Sequence, residues 1–398
     1  MALGKFNLTD ASALFKIKYE KLSENVYNSS NVLLGRCKKS YDFVGSKLQI
    51  AIPQSFAGGV GSGSLPAASK PKYGSAEIEA KKVYSRVEID RETIKASLKD
   101  EGSFVKATKE IVKKGVESYM RNMSRILFSD SSGVLGAIAS GATTASIVIT
   151  DMKEANFEEG DLIDTLDVSN AVVTAGLEIT AVDPDTSTVT LSAVCGAGST
   201  QVAMQNSYNK DPEGLKGIVK NSTNLLAASK SPYGITADRK WSSTEVNAAS
   251  ASISTDLLNK VMLSVEKKSG KAPNLLICSY KQYEKILNLL EDQKRFNVST
   301  RAGLKSKSGA DISFSGVEFM SSAGPVGIFP ERFCDDDRVY ALNDNQIHIH
   351  HRPDFGWFDD DGTVFLRKAN DDSYEARYGG YLNVYINPAF QGVIHSLA

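Results

Sequence analysis

The stretch Ser103–Phe128, SFVKATKEIVKKGVESYMRNMSRILF, decides the fold of this chain. Large apolar side chains recur along it at the 3.6-residue period of an α-helix, and charged side chains occupy the other face. At ~1.5 Å per residue the predicted helix is roughly 39 Å long, whereas a globular helix usually has about 11–12 residues. Periodicity alone favours the core helix of an ordinary domain, so the surrounding chain must show what this helix serves. The apolar stripe comprises Phe104, Val105, Ile111, Val112, Val116, Tyr119, Met120, Met123, Ile126 and Leu127.

The charged face of this helix lacks interleaved aromatic residues, which argues against specific nucleic-acid recognition. We expect it to be solvated or to lie at an interface. It comprises Lys106, Lys109, Glu110, Lys113, Lys114, Glu117, Arg121 and Arg125.

Composition limits the function classes. The 398 residues carry 46 Lys and Arg against 47 Asp and Glu, a net charge of −1, so no overall field attracts nucleic acid. No apolar run is long enough to span a membrane, and the N-terminus lacks the apolar core of a signal peptide. The four cysteines are too far apart for a metal knuckle or a disulfide framework, which favours a reducing compartment. They are Cys37, Cys195, Cys278 and Cys334.

The chain before the long helix predicts two projecting parts. Residues 9–27 form one amphipathic helix, which either packs as an arm on another surface or docks on its own domain. Two strands, Lys47–Ile52 and Glu77–Ile89, flank a segment rich in glycine and proline, Pro53–Ala76. Such a segment predicts the tip of a long hairpin, which needs a partner surface because two strands alone are marginal in water. The glycines lack the GK[ST] ending of a phosphate-binding loop.

Residues 146–208 have a different character from the rest of the chain. Short alternating strands follow one another, and Lys153 is the only basic residue between Arg125 and Lys210. This shift predicts a small all-β module inserted into the main domain. Asp183 and Asp185 lack the spacing of a calcium loop and are better explained as a turn.

The next part of the chain predicts a mixed helix and sheet domain. Thr244–Lys268 has the pattern of a second amphipathic helix, and Asn274–Ser279 is a continuous apolar run that fits a buried strand. Residues 280–296 predict a third helix. A helix–strand–helix unit of this kind forms the core of an α/β or α+β domain.

The histidines provide the only candidate chemistry. His348 and His350 fall on one face of a strand and, with Asp359–Asp361, could bind a metal. Alternation with Ile347 and Ile349 instead favours the solvent-facing half of an edge strand. No nucleophile motif such as G-x-S-x-G occurs. The sequence therefore predicts no enzyme, no catalytic or metal residue and no cofactor.

The order of these parts resembles the major capsid protein of tailed double-stranded DNA bacteriophages, which has the Hong Kong 97 fold. Three stretches carry the likeness. MSRILFSDSSGVLG (123–136) resembles the end of the family's long spine helix, and residues 254–296 resemble the helix, strand and second helix of its axial domain. ARYGGYLNVYINPAFQGVI (376–394) is similar to the family's C-terminal strands.

The resemblance implies an α+β capsid fold with an N-arm, an E-loop hairpin, a spine helix, peripheral and axial domains, and an inserted all-β module. The implied ranges are 1–45 for the N-arm, 46–90 for the E-loop, 91–139 for the peripheral domain with its spine helix, 140–210 for the β module, 211–221 for the return to the peripheral domain, 222–367 for the axial domain, and 368–398 for the closing peripheral strands.

The implied function is a virion protein that self-assembles into hexamers and pentamers, forming an icosahedral shell around packaged DNA. Expected partners are further copies of the chain, a portal, a separate scaffolding protein and DNA without sequence specificity. The β module could in addition bind a decoration protein or a host surface. No membrane is expected, and assembly should occur in the host bacterial cytoplasm. The alternatives are a bacterial nanocompartment shell and a metal-dependent hydrolase using His348 and His350.

The resemblance implies two sets of site residues, a subunit interface in the E-loop and the apolar stripe of the spine helix, which should pack on the peripheral-domain sheet. The E-loop set should contact a neighbouring subunit, and its Lys70 or Lys72 could supply the lysine of an intersubunit cross-link, for which no partner residue is assigned. The E-loop set is Phe56, Gly58, Gly59, Leu65, Pro66, Lys70, Lys72 and Tyr73. The spine-helix set is Phe104, Ile111, Val112, Val116, Tyr119, Met123, Ile126 and Leu127.

Overall fold

The computed structural model describes residues 31–43, 45–55, 72–91, 101–291, 317–322, 324–352, 356–358, 364–368 and 371–398. The predicted helix 9–27 lies outside this part of the chain. Two compact units are present, and neither is continuous in sequence. The first comprises Met1–Ser46, Glu79–Ser124 and His348–Asn383, and the second comprises Lys47–Ile78, Arg125–Ile347 and Val384–Ala398.

The described helices and strands have the following bounds. The helices are α1 (Val32–Arg36), α2 (Glu101–Phe128), α3 (Leu215–Ile218), α4 (Ser222–Ala227), α5 (Thr255–Ser269) and α6 (Tyr280–Glu291). The strands are β1 (Lys38–Ser40), β2 (Lys47–Ser55), β3 (Lys72–Glu79), β4 (Lys81–Asp90), β5 (Val134–Ser140), β6 (Ser146–Thr150), β7 (Leu162–Leu166), β8 (Val172–Asp183), β9 (Thr188–Leu191), β10 (Gln201–Met204), β11 (Thr244–Asn247), β12 (Leu275–Cys278), β13 (Val317–Ser321), β14 (Gly324–Pro330), β15 (Val339–Leu342), β16 (Ile347–His351), β17 (Gly356–Trp357), β18 (Leu366–Arg367), β19 (Ser373–Ile386) and β20 (Gly392–His395).

The first unit is built on a six-stranded sheet in the order β1-β16-β19-β17, with β4 and β18 also paired to β19. The long antiparallel ladder of β4 and β19 runs from Ser373 opposite Asp90 to Leu382 opposite Lys81. Along β4, Val83, Val87 and Ile89 are buried while the alternate residues are exposed. One face of this ladder is therefore packed and the other faces solvent.

Helix α2 covers the packed face of that ladder. A Cβ atom added at Gly115 would lie 2.5 Å from Val87 Cγ2, so only glycine permits the close approach of the helix to β4. The Tyr119 ring packs edge-on against Tyr378, with ring centroids 5.3 Å apart. Trp357 packs on the same Tyr378 ring at 5.1 Å. Aromatic contacts of this kind add to the burial of apolar area.

The second unit contains a six-stranded sheet in the order β11-β20-β15-β12-β14-β13. All four residues of β12 are buried, which confirms the buried strand predicted at 274–279. Helix α5 packs here through Leu258, Val261 and Met262. Its N-cap Ser254 accepts a hydrogen bond from the Leu257 N–H, and its C-cap Gly270 adopts the left-handed conformation at φ 73°.

The prediction of one helix over Thr244–Lys268 is wrong in its first part. Thr244–Asn247 forms β11, which pairs in parallel with β20, and the helix begins only at Thr255. The buried Val246 and Ile253 fit a helical period by coincidence, because each belongs to a different segment. The Ser254 cap is the local signal that marks the true start.

Residues 134–204 form a closed antiparallel barrel in the order β10-β5-β6-β9-β8-β7. Its interior is apolar and includes the buried Ile147, Ile163, Leu177 and Val189. Asp183 accepts hydrogen bonds from the Asp185 N–H and the Thr186 hydroxyl, at 3.1 and 2.7 Å, so this pair of aspartates forms a turn, as predicted.

The predicted single strand Glu77–Ile89 is two strands. The strand is interrupted at Ala80, whose N–H donates to the Ser46 carbonyl at 3.1 Å. Strand β3 ends before this break and pairs with β2, whereas β4 begins after it and pairs with β19. The apolar residues change from even positions (Ile78, Ala80) to odd positions (Val83, Val87, Ile89) at this point, and this change is the sequence signal of the interruption.

Candidate functional site

The hairpin formed by β2 and β3 packs only through its root. Ala76 and Ile78 on β3 are buried, and Leu48, Ile50 and Ile52 on β2 are half-buried. Between the exposed sides of the strands, Glu77 lies 3.3 Å from both Lys47 Nζ and Gln49 Nε2. A two-stranded sheet with one half-buried face gains little stability by itself.

The outer end of the hairpin is exposed. Of the predicted E-loop residues, Lys72 and Tyr73 are described, and the Tyr73 side chain is 59% exposed. A large aromatic side chain left in solvent beside a lysine fits an intermolecular contact. The other six predicted residues, Phe56, Gly58, Gly59, Leu65, Pro66 and Lys70, lie outside the described residues.

The apolar stripe of α2 is buried wherever its side chains are described. Val116, Tyr119 and Met123 pack in the first unit, and Ile126 and Leu127 pack in the second unit. The side chains of Phe104, Ile111 and Val112 lie outside the described part of the helix. These positions serve the packing of the helix within the subunit.

The charged face of α2 is only partly exposed, which corrects the expectation for Arg125. Lys113 and Glu117 form an exposed i, i+4 ion pair at 3.6 Å. Arg125 instead is buried, and its Nη1 donates to Asp211 Oδ2 at 2.9 Å. The helix turns about 100° per residue, so its final turn brings Arg125 inward where Asp211 neutralises it.

The solvent-facing side of the β4 and β19 ladder combines cations with aromatic rings. Lys82 and Arg86 lie directly opposite Tyr381 and Arg377. Lys82 Nζ is 5.5 Å from the centre of the exposed Tyr84 ring. Glu88 and Glu375 neutralise part of the charge by pairing with Arg86 and Arg377. Sequence reasoning missed this face because its two strands are almost 300 residues apart in the chain.

A buried carboxylate anchors the barrel to the rest of the second unit. Asp335 lies 2.5 Å from Lys153 Nζ, 3.1 Å from Lys216 Nζ and 3.4 Å from Arg338 Nε. Lys153 Nζ also donates to the Phe333 carbonyl at 3.0 Å. Burial raises the pKa of Asp335, but Lys153 and Lys216 outweigh that effect and hold the pKa below its usual value. The only basic residue of the barrel thus forms its anchor.

The histidines of β16, which are His348, His350 and His351, lie on an interior strand of the first sheet. The prediction of a solvent-facing edge strand is therefore wrong. Strand β16 pairs with β1 on one side and β19 on the other, and His350 and His351 are buried. The sequence could not show this, because β1 is more than 300 residues away. Burial lowers the pKa of His351 to about 4, with smaller contributions from Lys39 and His350.

Ser40, Asp42 and His350 form a polar cluster that ties β1 to β16. His350 Nδ1 is 2.7 Å from Ser40 Oγ and 2.9 Å from Asp42 Oδ1. A hydrolytic triad needs the serine and the acid on opposite ring nitrogens, and here both groups contact Nδ1. Within the described residues, no three His, Cys, Asp or Glu side chains could hold a metal ion, and Asp359–Asp361 lie outside them. The hydrolase alternative is not favoured.

Comparison with known proteins links this architecture to viral shells. Residues 192–355, less than half of the chain, match the family described as SU10 major capsid protein. The structure of the cyanophage A-1(L) capsid asymmetric unit is similar, with a TM-score of 0.52 at 10% identity over 93% of this chain and 93% of that chain. This chain has the Hong Kong 97 fold.

Two further structures are less similar, with TM-scores below 0.5. The capsid of an empty GTA particle gives a TM-score of 0.45 at 9% identity, over 93% of this chain and 97% of that chain. The Gordonia phage Cozz structure gives 0.43 at 10% identity, over 93% of this chain and 87% of that chain. None of the curated protein sequences matches this chain.

The matched range includes the helix–strand–helix unit of α5, β12 and α6, on which the predicted axial domain rests. No helix in the described residues has the length and apolar character needed to cross a membrane. All four cysteines are buried free thiols.

Proposed function

We propose that this chain is a major capsid protein, a structural component of the virion, and that it assembles into hexamers and pentamers that form an icosahedral shell around packaged double-stranded DNA. The observation that carries the proposal is the match of residues 192–355 to a major capsid protein family in a chain with the Hong Kong 97 fold. Closed shells of one protein need each copy to bind several others through the same surfaces.

The predicted ranges give each part of the subunit a role in this proposal. Residues 46–90 act as the E-loop, and α2 acts as the spine helix. Residues 222–367 form the axial domain around the symmetry axis of a hexamer or pentamer. Residues 91–139, 211–221 and 368–398 form the peripheral domain, 1–45 form the N-arm, and 140–210 form the β module.

The hairpin supports the proposal through its incomplete burial. Its root is held by Ala76 and Ile78, while Lys72 and Tyr73 extend beyond it into solvent. Packing this outer end on a neighbouring subunit would remove the Tyr73 ring from water. It would also bring Lys72 near that subunit, where a cross-link is one possible use of a lysine at this position. An interface of obligate partners gains stability from such buried apolar area.

Non-specific contact with DNA is supported by the cationic face of β4 and β19. Lys82 and Arg86 are exposed there, and the Tyr84 ring is 51% exposed. Cations contact phosphates without reading sequence, and the affinity should fall as salt rises. We further propose a portal and a separate scaffolding protein as partners, a decoration protein on the β module, and assembly in the cytoplasm of a bacterial host.

The proposal is tested by expressing the full chain, alone and with crowding agent or a candidate scaffolding protein. Sedimentation and negative-stain electron microscopy should show closed shells. Deleting 54–74 should leave a folded subunit, with unchanged circular dichroism and a cooperative melt, that forms few shells. A chain that remains monomeric at high concentration under all these conditions would contradict the proposal.

A matched control separates the length of the loop from its side chains. Replacing 56–71 with a Gly/Ser sequence of equal length keeps the reach of the hairpin but removes its apolar and basic groups. We expect this variant to assemble as poorly as the deletion. Normal shells from either variant would show that the hairpin is not the E-loop.

A further inference from the structure

The barrel has two ends of different chemistry. Strands β5, β7 and β9 run in one direction and β6, β8 and β10 in the other. The chain enters at Val134 and leaves at Met204, so this end is the base. Three loops meet at the opposite end, which we call the tip: residues 140–146, 167–172 and 192–200.

Hydrogen bonds join the three tip loops into one surface. The Cys195 N–H donates to the Thr144 carbonyl at 3.2 Å, and the Gly196 N–H donates to Thr174 Oγ1 at 2.9 Å, just beyond the loop 167–172. The Thr200 N–H donates to the Leu166 carbonyl at 2.7 Å. The tip is therefore a defined surface rather than three independent loops.

The acidic residues of the barrel are concentrated away from its tip. Residues 134–204 contain ten acidic residues and one basic residue, Lys153, and so have a net charge of −9 in a chain whose net charge is −1. Only Asp167 belongs to the tip, where it accepts the Ser169 and Ala171 N–H groups at 2.7 and 2.9 Å. Most of the others lie in the base loops: Asp151, Glu154, Glu158, Glu159, Asp161, Asp183 and Asp185.

The tip exposes apolar side chains where the barrel lacks charge. Val168, Val172 and Val194 are 83%, 54% and 57% exposed. The other exposed tip residues are small and uncharged, mainly Ser, Thr, Ala and Gly. Grouped apolar side chains at one end of a well-packed module mark an interaction site more than isolated ones do.

We propose that the tip binds the tip of a second copy of this chain. The distribution of charge on the barrel favours a second copy of the chain as the partner. Two copies of a module with a charge of −9 repel each other wherever their acidic sides meet. The tip has one of the ten acidic residues, Asp167, so it can approach its own copy with the least repulsion. A two-fold contact must be complementary to itself, which the apolar side chains of the tip satisfy. The inference rests on the proposed shell assembly, which places many copies side by side.

Charge placed on the tip tests the proposal. Val168→Asp and Val168→Lys should each fold normally, because this side chain is 83% exposed, and each should reduce the yield of sedimenting shells about tenfold through like-charge repulsion. Co-expression of the two variants should restore shells, because opposite charges then meet. Shells from either variant at wild-type yield, or no recovery on co-expression, would overturn the proposal. No recovery on co-expression would indicate that the tip binds a separate decoration protein or another surface of the subunit.

A cross-link gives an independent readout that does not depend on yield. Ser169→Cys adds an exposed thiol to a chain whose own cysteines are all buried, so oxidised shells should give a dimer on a non-reducing gel. Intact shells without that dimer would contradict a tip-to-tip contact. Leu162→Asp and Leu162→Lys are the matched controls, since Leu162 is exposed at the base, and both should assemble normally. If the unsubstituted chain forms no shells, the proposed function fails, and this outcome is distinct from failure of the tip alone.

Discussion

The barrel and the β2–β3 hairpin are both all-β parts of the second unit, but they achieve burial in different ways. The barrel closes its six strands, and Ile147, Ile163 and Val189 lie fully buried inside it. The hairpin has two strands, and Ile50 and Ile52 on it remain half-buried. Closing a sheet removes its free edges and creates an interior, whereas two strands provide neither. The barrel therefore depends on its own core, and the hairpin depends on the surface that it meets.

The largest expected effect compares one isoleucine in each region. Ile147→Ala removes fully buried methyl groups from the barrel and should lower the free energy of unfolding by about 2–5 kcal/mol. Ile52→Ala on the half-buried face of the hairpin should cost about 1 kcal/mol or less. Urea unfolding of the unassembled subunit measures both values.

The assembly yields should show the opposite order at a temperature where both variants are folded. Ile52→Ala should reduce shell formation more than Ile147→Ala, because the hairpin contributes to contacts between copies. Equal losses of stability in the two variants would mean that the hairpin is as self-contained as the barrel.

A second prediction concerns the segment to which the barrel is anchored. Glu331 is buried two residues before Phe333, and burial raises its pKa from 4.5 to about 7 against the opposing effect of Arg332. A carboxyl whose pKa is raised by folding stabilises the folded state fully below pH 4.5, and this contribution is lost as the pH rises to about 7. The shift corresponds to roughly 3 kcal/mol at most.

The comparison of wild type with Glu331→Gln isolates this effect. The neutral amide cannot ionise, so the variant should gain stability relative to wild type as the pH rises from 5 to 8. Thermal melts across that range, in a buffer with a small heat of ionisation, measure the difference. A difference that stays constant with pH would show that Glu331 does not titrate in this window.

The sequence was sufficient for segments whose pattern comes from local contacts. The helical period of apolar residues identifies α2, and the continuous apolar run identifies β12. Both patterns depend only on residues that are close together in the sequence. The order of such elements carried the resemblance to proteins with the Hong Kong 97 fold. The assembly residues remain predictions, since most of the hairpin tip lies outside the described residues.

Pairing between distant segments was not predictable in the same way. His348–His351 alternate with isoleucines as an edge strand would, yet β1 covers that edge through contacts across about 310 residues. Likewise, the loose alternation of Glu77–Ile89 predicted one strand, although its two halves pair with different strands. Alternation reports which residues face a core, and it carries no information on which strand lies alongside.

A third prediction tests whether the barrel needs its anchor. Lys153→Met removes one of three cations around Asp335 but leaves Lys216 and Arg338 in place, so the free energy of unfolding should fall by about 1–2 kcal/mol. The barrel should stay folded, because its core is unchanged. Limited proteolysis within 205–214 should become faster as the barrel moves more freely. Unfolding of the barrel itself, seen as new cleavage sites within its strands, would show that the barrel is not self-contained.

The smallest expected effect lies on the hairpin. Glu77 accepts from Lys47 and Gln49 at 3.3 Å, but the Lys47 and Glu77 side chains are 48% and 44% exposed, so water and salt screen the pair. Glu77→Gln should therefore change the free energy of unfolding by about 0.5 kcal/mol or less, and the difference should shrink further in 0.5 M NaCl. A double-mutant cycle with Lys47→Met gives the pair energy directly. A coupling above about 1 kcal/mol would mean that the hairpin holds its shape through its own polar contacts, and the contrast with the barrel would then be one of degree.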